Sequence, residues 1–127
     1  MTREWEAALH RGEVQLLEQL LDSGTDINAL DQHGQTSLMI AAHRGQTAVV
    51  RLLVARGAAM DRSAKYHLTA LMLAVIGGHA DVVRLLVDAG ADTTIRGTGA
   101  PGFDGRTALD LARAAGRSDL EACLTGR

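Results

Sequence analysis

Aromatic residues are nearly missing. Of 127 residues only Trp5, Tyr66 and Phe103 carry an aromatic ring, although 46% of the chain is hydrophobic. Rings each bury about 150 to 250 Å² and ordinarily dominate the packing of a domain of this size, so small and aliphatic side chains must fill the interior. Proline is limited to Pro101 and cysteine to Cys123. A lone cysteine excludes an intrachain disulfide and a paired-cysteine metal or redox motif, and it fits a reducing compartment such as the cytoplasm. No apolar run approaches the roughly 18 residues that suggest a membrane span, and residues 1–9 alternate charge with bulk instead of forming a secretory core. Neither sign of charge prevails: 13 Lys and Arg against 15 Asp and Glu leave −2, the balance of a soluble folded chain and not of a disordered acidic tail.

Regular spacing is abundant. Gly12, Gly45 and Gly78 are 33 residues apart, and so are Gly24, Gly57 and Gly90. Thr36 and Thr69 keep that step, whereas Thr69 to Thr107 and Gly78 to Gly116 both stretch to 38, which places one five-residue insertion between them. Self-similarity at such a period marks a repeat architecture. Each unit reads as two short helices. Thr36 is a suitable N-cap for a helix over 37–44, with Leu38, Ala41 and Ala42 on one face, and Gly45 ends it. Thr47 opens a second helix with Val49, Val50, Leu52 and Leu53 as its apolar stripe, stopped by Gly57. Helices of about ten residues are marginal alone, so neighbouring pairs must stack.

The run Gly34-Gln35-Thr36-Ser37-Leu38-Met39-Ile40-Ala41-Ala42-His43-Arg44-Gly45, followed by Val49 to Ala58, resembles the GxTPLHxAAxxG and VVxxLLxxGA signatures of the ankyrin repeat family. The resemblance implies a mainly α fold: an α-solenoid of stacked helix-turn-helix repeats with short β-hairpin loops, over approximately 1–30, 31–63, 64–96 and 102–127, with an insertion loop at 97–101. The motif's proline is replaced by Ser37, Ala70 and Ala108, and its histidine by Met39, Met72 and Asp110. His67 stands where Gly34 and Gly105 supply a left-handed turn residue, so mild strain is expected there. The end repeats read as caps: Trp5 replaces Leu38 and Leu71, and Arg113 replaces Ala42 and Val75. With both ends capped, the expectation is a complete small protein.

Signs of catalysis are poor. Gly97 to Gly102 match GxGxxG, yet Pro101 and Gly102 lead into a turn and not a helix, so the stretch reads as a flexible elongated hairpin and no cofactor is expected. His10 and His43 occupy equivalent repeat positions, about 8 to 10 Å apart by helix spacing, too far for one zinc ion. Cys123 falls on an apolar stripe, where a thiol is inert. Asp26 and Asp92 recur at one repeat position and read as turn formers. No enzyme is expected.

A partner surface remains. The family resemblance implies a concave groove lined by loop tips and first helices. Mapped onto this chain, the first repeat contributes His10 and Arg11. The second contributes Gln32, His33, Gln35, His43 and Arg44, with Leu30 beside them. The third contributes Lys65, Tyr66, Leu68, Ile76 and Arg96, and the last Phe103, Asp104 and Arg106. Five of these are cations and only Asp104 is acidic, a local +4 in a chain of −2. Tyr66 and Phe103 flanked by basic residues have the composition of a binding hot spot, although Phe103 packed under its own loop is an equal alternative. The expected function is a non-enzymatic adaptor, scaffold or inhibitor, monomeric by itself, that binds a protein with an acidic surface. Single-stranded nucleic acid is the second class, against which stand the pI of about 6.2 and the lack of any basic run longer than two. A regulatory subunit of an enzyme complex is the third.

Overall fold

The computed structural model describes residues 1–126. Its eight α-helices come in four pairs: α1 (Arg3–Arg11) with α2 (Val14–Asp22), α3 (Ser37–Arg44) with α4 (Thr47–Ala55), α5 (Ala70–Gly77) with α6 (Ala80–Asp88), and α7 (Ala108–Ala114) with α8 (Ser118–Thr125). First helices stack on first helices and second on second, so the fold is the expected helical solenoid. Each first helix starts on a threonine. The hydroxyls of Thr2, Thr36, Thr69 and Thr107 accept the backbone N–H of Trp5, Met39, Met72 and Asp110, a cap worth about 1 kcal/mol at each site. At Thr36 and Thr107 the cap is reciprocal, because Met39 Sδ and Asp110 Oδ2 accept the threonine N–H at 3.5 and 3.0 Å. Two of the residues that replace the motif's histidine therefore still serve the turn.

Small residues set the spacing of the stack. Ala8, Ala41, Ala74 and Ala112 occupy one repeat position and are all buried, and along this column α3 approaches α5, and α5 approaches α7, closely. At Gly77 a Cβ would lie 2.6 Å from the His43 carbonyl oxygen, so the backbones of α5 and α3 meet with no room for a methyl group. Behind this column Val49, Val50 and Leu53 of α4 pack against Val82, Val83 and Leu86 of α6. Trp5 is fully buried and its indole N–H donates to Ser37 Oγ at 2.6 Å, which satisfies both polar groups across the first interface.

A second column is polar. The residues that precede the second helices make no side-chain cap of their own. They reach instead across to the preceding repeat: Gln46 Nε2 donates to the Leu9 carbonyl at 3.0 Å, His79 Nε2 to that of His43 at 2.9 Å, and Arg117 Nη2 to that of Gly78 at 3.3 Å. These acceptors sit at first-helix C-termini, where carbonyls have no intrahelical donor. His79 is thus an inter-repeat tie. On the loop side, Asn28 Oδ1 and Asp61 Oδ1 accept the N–H of Ala59 and Asp92, at 2.9 and 2.8 Å, again one repeat apart. Asp26 and Asp92 form turns onto the N–H of Asn28 and Thr94, the structural role read from their spacing.

The hairpin tips are minimal: among the described residues only isolated bridges occur, antiparallel from Leu30 to Thr36 and from Ser63 to Thr69, and parallel from Gly97 to Asp104. Pairing cannot propagate, because the next residue after each bridging threonine already belongs to a helix. The insertion, expected to be a flexible elongated hairpin, is hydrogen-bonded at its base. Gly97 exchanges backbone hydrogen bonds with Arg106 and Gly105, both at 2.9 Å, and Thr98 N–H donates to the Tyr66 carbonyl at 2.8 Å. At the far end of the stack, Arg113 and Glu121 stand where inner repeats carry Ala42 or Val75 and Val50 or Val83, and they pair at 3.1 Å.

Gly77→Ala should lower stability by about 1 to 3 kcal/mol, the cost of overpacking, although in an unobstructed helix the same change is stabilising by about 1 kcal/mol. A chemical denaturation curve decides the sign, and a stabilised variant would mean that the two backbones separate freely. The Thr107 N–H holds the Asp110 carboxyl below its usual value, with smaller help from the Thr107 hydroxyl and from Arg96 and Arg113. Because the folded value is the lower one, this stabilisation is complete above the unfolded value of about 3.9 and is lost as pH falls through the folded one. Melting temperature should fall on acidification from pH 5 to pH 2, and fall less in Asp110→Asn, which keeps the acceptor but does not titrate.

Candidate partner-binding site

Loop tips and first helices converge on a cavity of about 330 Å³ between the second and third repeats. Leu68 and Leu73 form its buried floor, and Ile76, 40% exposed, extends that floor to the surface. His33, Gln35 and His43 make one wall. Tyr66 and Phe103 make the other, their ring centroids 6.0 Å apart and tilted by 37°, a separation within the favourable range for aromatic pairs. Lys65 Nζ lies 5.0 Å above the Tyr66 ring. None of the ten lining residues is acidic.

The two tips are built differently. In the second repeat Asp31 Oδ1 accepts the N–H of His33 and Gln35 at 2.8 and 2.9 Å, and Gly34 takes the left-handed position at φ 75°. In the third repeat Ala64 stands in place of Asp31, so that carboxylate is gone. His67 adopts the expected left-handed backbone at φ 58°, and Tyr66 before it does so as well, at φ 62°. Two consecutive side chains in this region cost roughly 1 to 2 kcal/mol each. Contacts from the end of the third repeat and from the insertion hold them there. Thr98 donates to the Tyr66 carbonyl as described, and His67 Nδ1 donates to the Arg96 carbonyl at 2.9 Å.

Eight of the fourteen residues expected to bind a partner line this cavity: His33, Gln35, His43, Lys65, Tyr66, Leu68, Ile76 and Phe103. Leu68 is in the core with only its edge toward the cavity. The other six lie elsewhere. His10 and Arg44 are exposed and meet each other, an Arg44 N–H directed at His10 Nδ1. Arg11 is 3.8 Å from Glu13. Gln32 sits beside the His33 ring. Arg96 turns back on its own loop, donating to the Gly105 carbonyl at 2.6 Å and lying 3.9 Å from Asp110. Arg106 is exposed. Asp104, the one acid of the expected groove, is the acceptor for Gly99 N–H at 3.3 Å. Among the described residues Arg44, Lys65 and Arg106 form no ion pair with a carboxylate, whereas Arg11 and Arg96 do, so the positive charge is less than a count of residues suggests.

Ala64 and Leu73 were not expected. Leu73 had a signal: the α5 sequence Ala-Leu-Met-Leu-Ala-Val-Ile-Gly is apolar on every face, the mark of a helix covered on both sides. A larger depression of about 660 Å³ lies between α4 and α6, but Arg51, Arg84, Asp81 and Asp88 give it both signs of charge and an open form. Cys123 is buried, with Sγ 3.9 Å from the Ala80 carbonyl and 3.6 Å from Nη2 of Arg84. Among the described residues no three His, Cys, Asp or Glu side chains are grouped as metal ligands, and no helix is long and apolar enough to cross a membrane.

A family model described as ankyrin repeats, in three copies, matches residues 5–97. None of the curated proteins matches the chain. The matched span covers the first three helix pairs and stops where the insertion begins.

His67→Gly should stay within about 1 kcal/mol of the parent, because relief of left-handed strain offsets the lost hydrogen bond and the entropy of glycine. His67→Ala keeps the strain and loses the bond, so it should be less stable than His67→Gly by about 1 kcal/mol. Thermal melts of the pair test this. The reverse order, normal where φ is negative, would show that the turn relaxes.

Proposed function

The chain belongs to the ankyrin repeat family, and from that premise we propose that it is a non-enzymatic adaptor, scaffold or inhibitor whose partner protein docks on the tips and first helices. Ankyrin repeats are protein-interaction units, which is the general part of this reading. The observation that carries the specific part is the cavity at the junction of the second, third and fourth repeats, with an apolar floor and no acidic lining. Surface apolar residues scattered singly mean little, but Tyr66, Ile76 and Phe103 are gathered at one concave place with Lys65 among them, the arrangement of an interface centre. The helix pair α7 and α8 serves in this reading as a fourth, capping repeat over 102–127, and its insertion completes the site. A partner with an acidic surface fits the cations Arg44, Lys65 and Arg106. Action in the cytoplasm, as a monomer until the partner binds, agrees with the lone buried Cys123 and the polar Arg113–Glu121 end.

The test starts from a partner recovered with the protein from its source and repeats the binding with purified components. Arg44→Glu combined with Lys65→Glu should weaken affinity by at least tenfold while leaving the circular dichroism melt unchanged. Association should slow as ionic strength rises from 50 to 300 mM, since charges beyond about 10 Å are screened at 0.1 M salt. Unchanged affinity in the double variant would place the interface elsewhere on the stack. Tighter binding of a random single-stranded oligonucleotide than of any protein would favour the nucleic-acid reading, for which the Tyr66–Phe103 pair is the one supporting feature.

A further inference from the structure

Resting on that reading, we infer that the cavity is a socket for one apolar side chain of a partner's extended segment, and that a carboxylate next to that side chain faces Lys65. The fourth-repeat insertion is the element that makes the socket. Four observations carry this. First, the turn Lys65–Tyr66–His67 is the only tip among the described residues with two non-glycine residues at positive φ. Strained backbone persists where surrounding structure over-determines it, and it gathers at sites of function. Second, the structure that over-determines it is the insertion together with the residue before it: Thr98 N–H on the Tyr66 carbonyl and Gly99 against the Tyr66 ring from the insertion, and the Arg96 carbonyl on His67 Nδ1 from the end of the third repeat. Third, the same loop brings Phe103 to Tyr66. Gly97 allows this, since a Cβ there would sit 2.5 Å from the Phe103 carbonyl oxygen. Fourth, the occupant's chemistry is fixed by complementarity. The floor of Leu68, Leu73 and Ile76 offers no hydrogen-bonding side chain, His33, Gln35 and His43 form a polar wall, and the rim carries the Lys65 ammonium and no acid.

The size agrees with this occupant. About 330 Å³ lies at the low end of ligand cavities, room for a leucine, isoleucine, methionine or phenylalanine side chain with its neighbouring backbone. A nucleobase is the poorer fit: stacking needs a flat ring face, and here the two rings are tilted by 37° over an aliphatic floor.

The test is selection of random dodecapeptides displayed on phage against the whole chain, followed by affinity measurement of the enriched peptides in solution. The expected peptides carry an apolar residue adjacent to Asp or Glu. They should lose at least tenfold in affinity for Ile76→Asp and for Lys65→Glu, and severalfold for a variant lacking residues 98–102, with each variant confirmed as folded by its melt. Tyr66→Phe controls for the ring and should keep affinity within about threefold. Enriched peptides with basic flanks, or ones indifferent to Ile76→Asp and Lys65→Glu, overturn the socket. If such peptides instead respond to Arg44→Glu or Arg106→Glu, the socket fails while protein binding by the tips stands. Absence of any enrichment over an unrelated helical protein also overturns the socket, and the partner experiment then decides the broader reading separately.

Discussion

Close approach of neighbouring first helices is the constraint on which this structure depends. The alanine column at 8, 41, 74 and 112, and the contact of Gly77 with the His43 carbonyl, bring successive repeats together with little more than backbone between them. Only at that distance do Gln46, His79 and Arg117 span the gap to the C-terminal carbonyls of the preceding first helix. The Leu9 carbonyl also accepts the Gly12 N–H at 3.1 Å, so there the side-chain donor adds to the capping of the helix end. The layer between repeats is then too thin for rings, which is why a chain with 46% hydrophobic residues has three aromatic residues. Trp5 is the exception that fits the rule, for it lies in the first repeat, where its indole spans to Ser37. The other two rings appear at the tips, Tyr66 exposed and Phe103 half-buried against the edge of the core.

Much of the scaffold was legible because it rests on identities that repeat. Glycine every 33 residues and the threonines at 36, 69 and 107 located helix starts and stops, and α3 runs over 37–44 as its cap and stop imply. The polar column was not legible, since its three members are glutamine, histidine and arginine. A search for recurring residues cannot see a position conserved only in reach and donor capacity, and His79 alone reads as a surface histidine. The hairpins stay at one bridge each because a tip of five residues ending on a helix cap has no length left for a ladder.

The site was legible in part for a related reason. Its position follows from the fold: tips and first helices share one side, so His33, His43, Tyr66 and Ile76 were expected together. Its charge does not follow, because Arg11 and Arg96 are neighbours of Glu13 and Asp110 only in three dimensions or across a cap. Exposed pairs of this kind contribute about 0 to 1 kcal/mol to stability, yet each sets an opposite charge beside the cation and so weakens the field it presents. The field that remains comes from Arg44, Lys65 and Arg106, and it steers more than it binds. Affinity must then come from desolvating the apolar floor, in keeping with the general finding that a few central residues dominate an interface.

The third tip shows what this arrangement costs the fold. Asp31 and Gly34 make the second tip self-sufficient, with the carboxylate holding two N–H groups and glycine free to take φ 75°. Replacing them with Ala64 and His67, and adding Tyr66 at φ 62°, removes the internal support and introduces strain together. Local stability would favour the Asp and Gly of the second tip, so the third tip is the place where sequence and local energetics disagree. Such disagreements in natural proteins fall at functional sites. The insertion and the residues on either side of it resolve the disagreement, lending the turn the Arg96 carbonyl as acceptor, the Thr98 N–H as donor and Phe103 as aromatic neighbour. A longer connection closes at little entropic cost, about 0.6 kcal/mol per doubling of loop length, so five added residues are an inexpensive way to hold a strained turn. The irregular step of 38 in an otherwise regular spacing of 33, and the two rings at the tips, are therefore parts of one device.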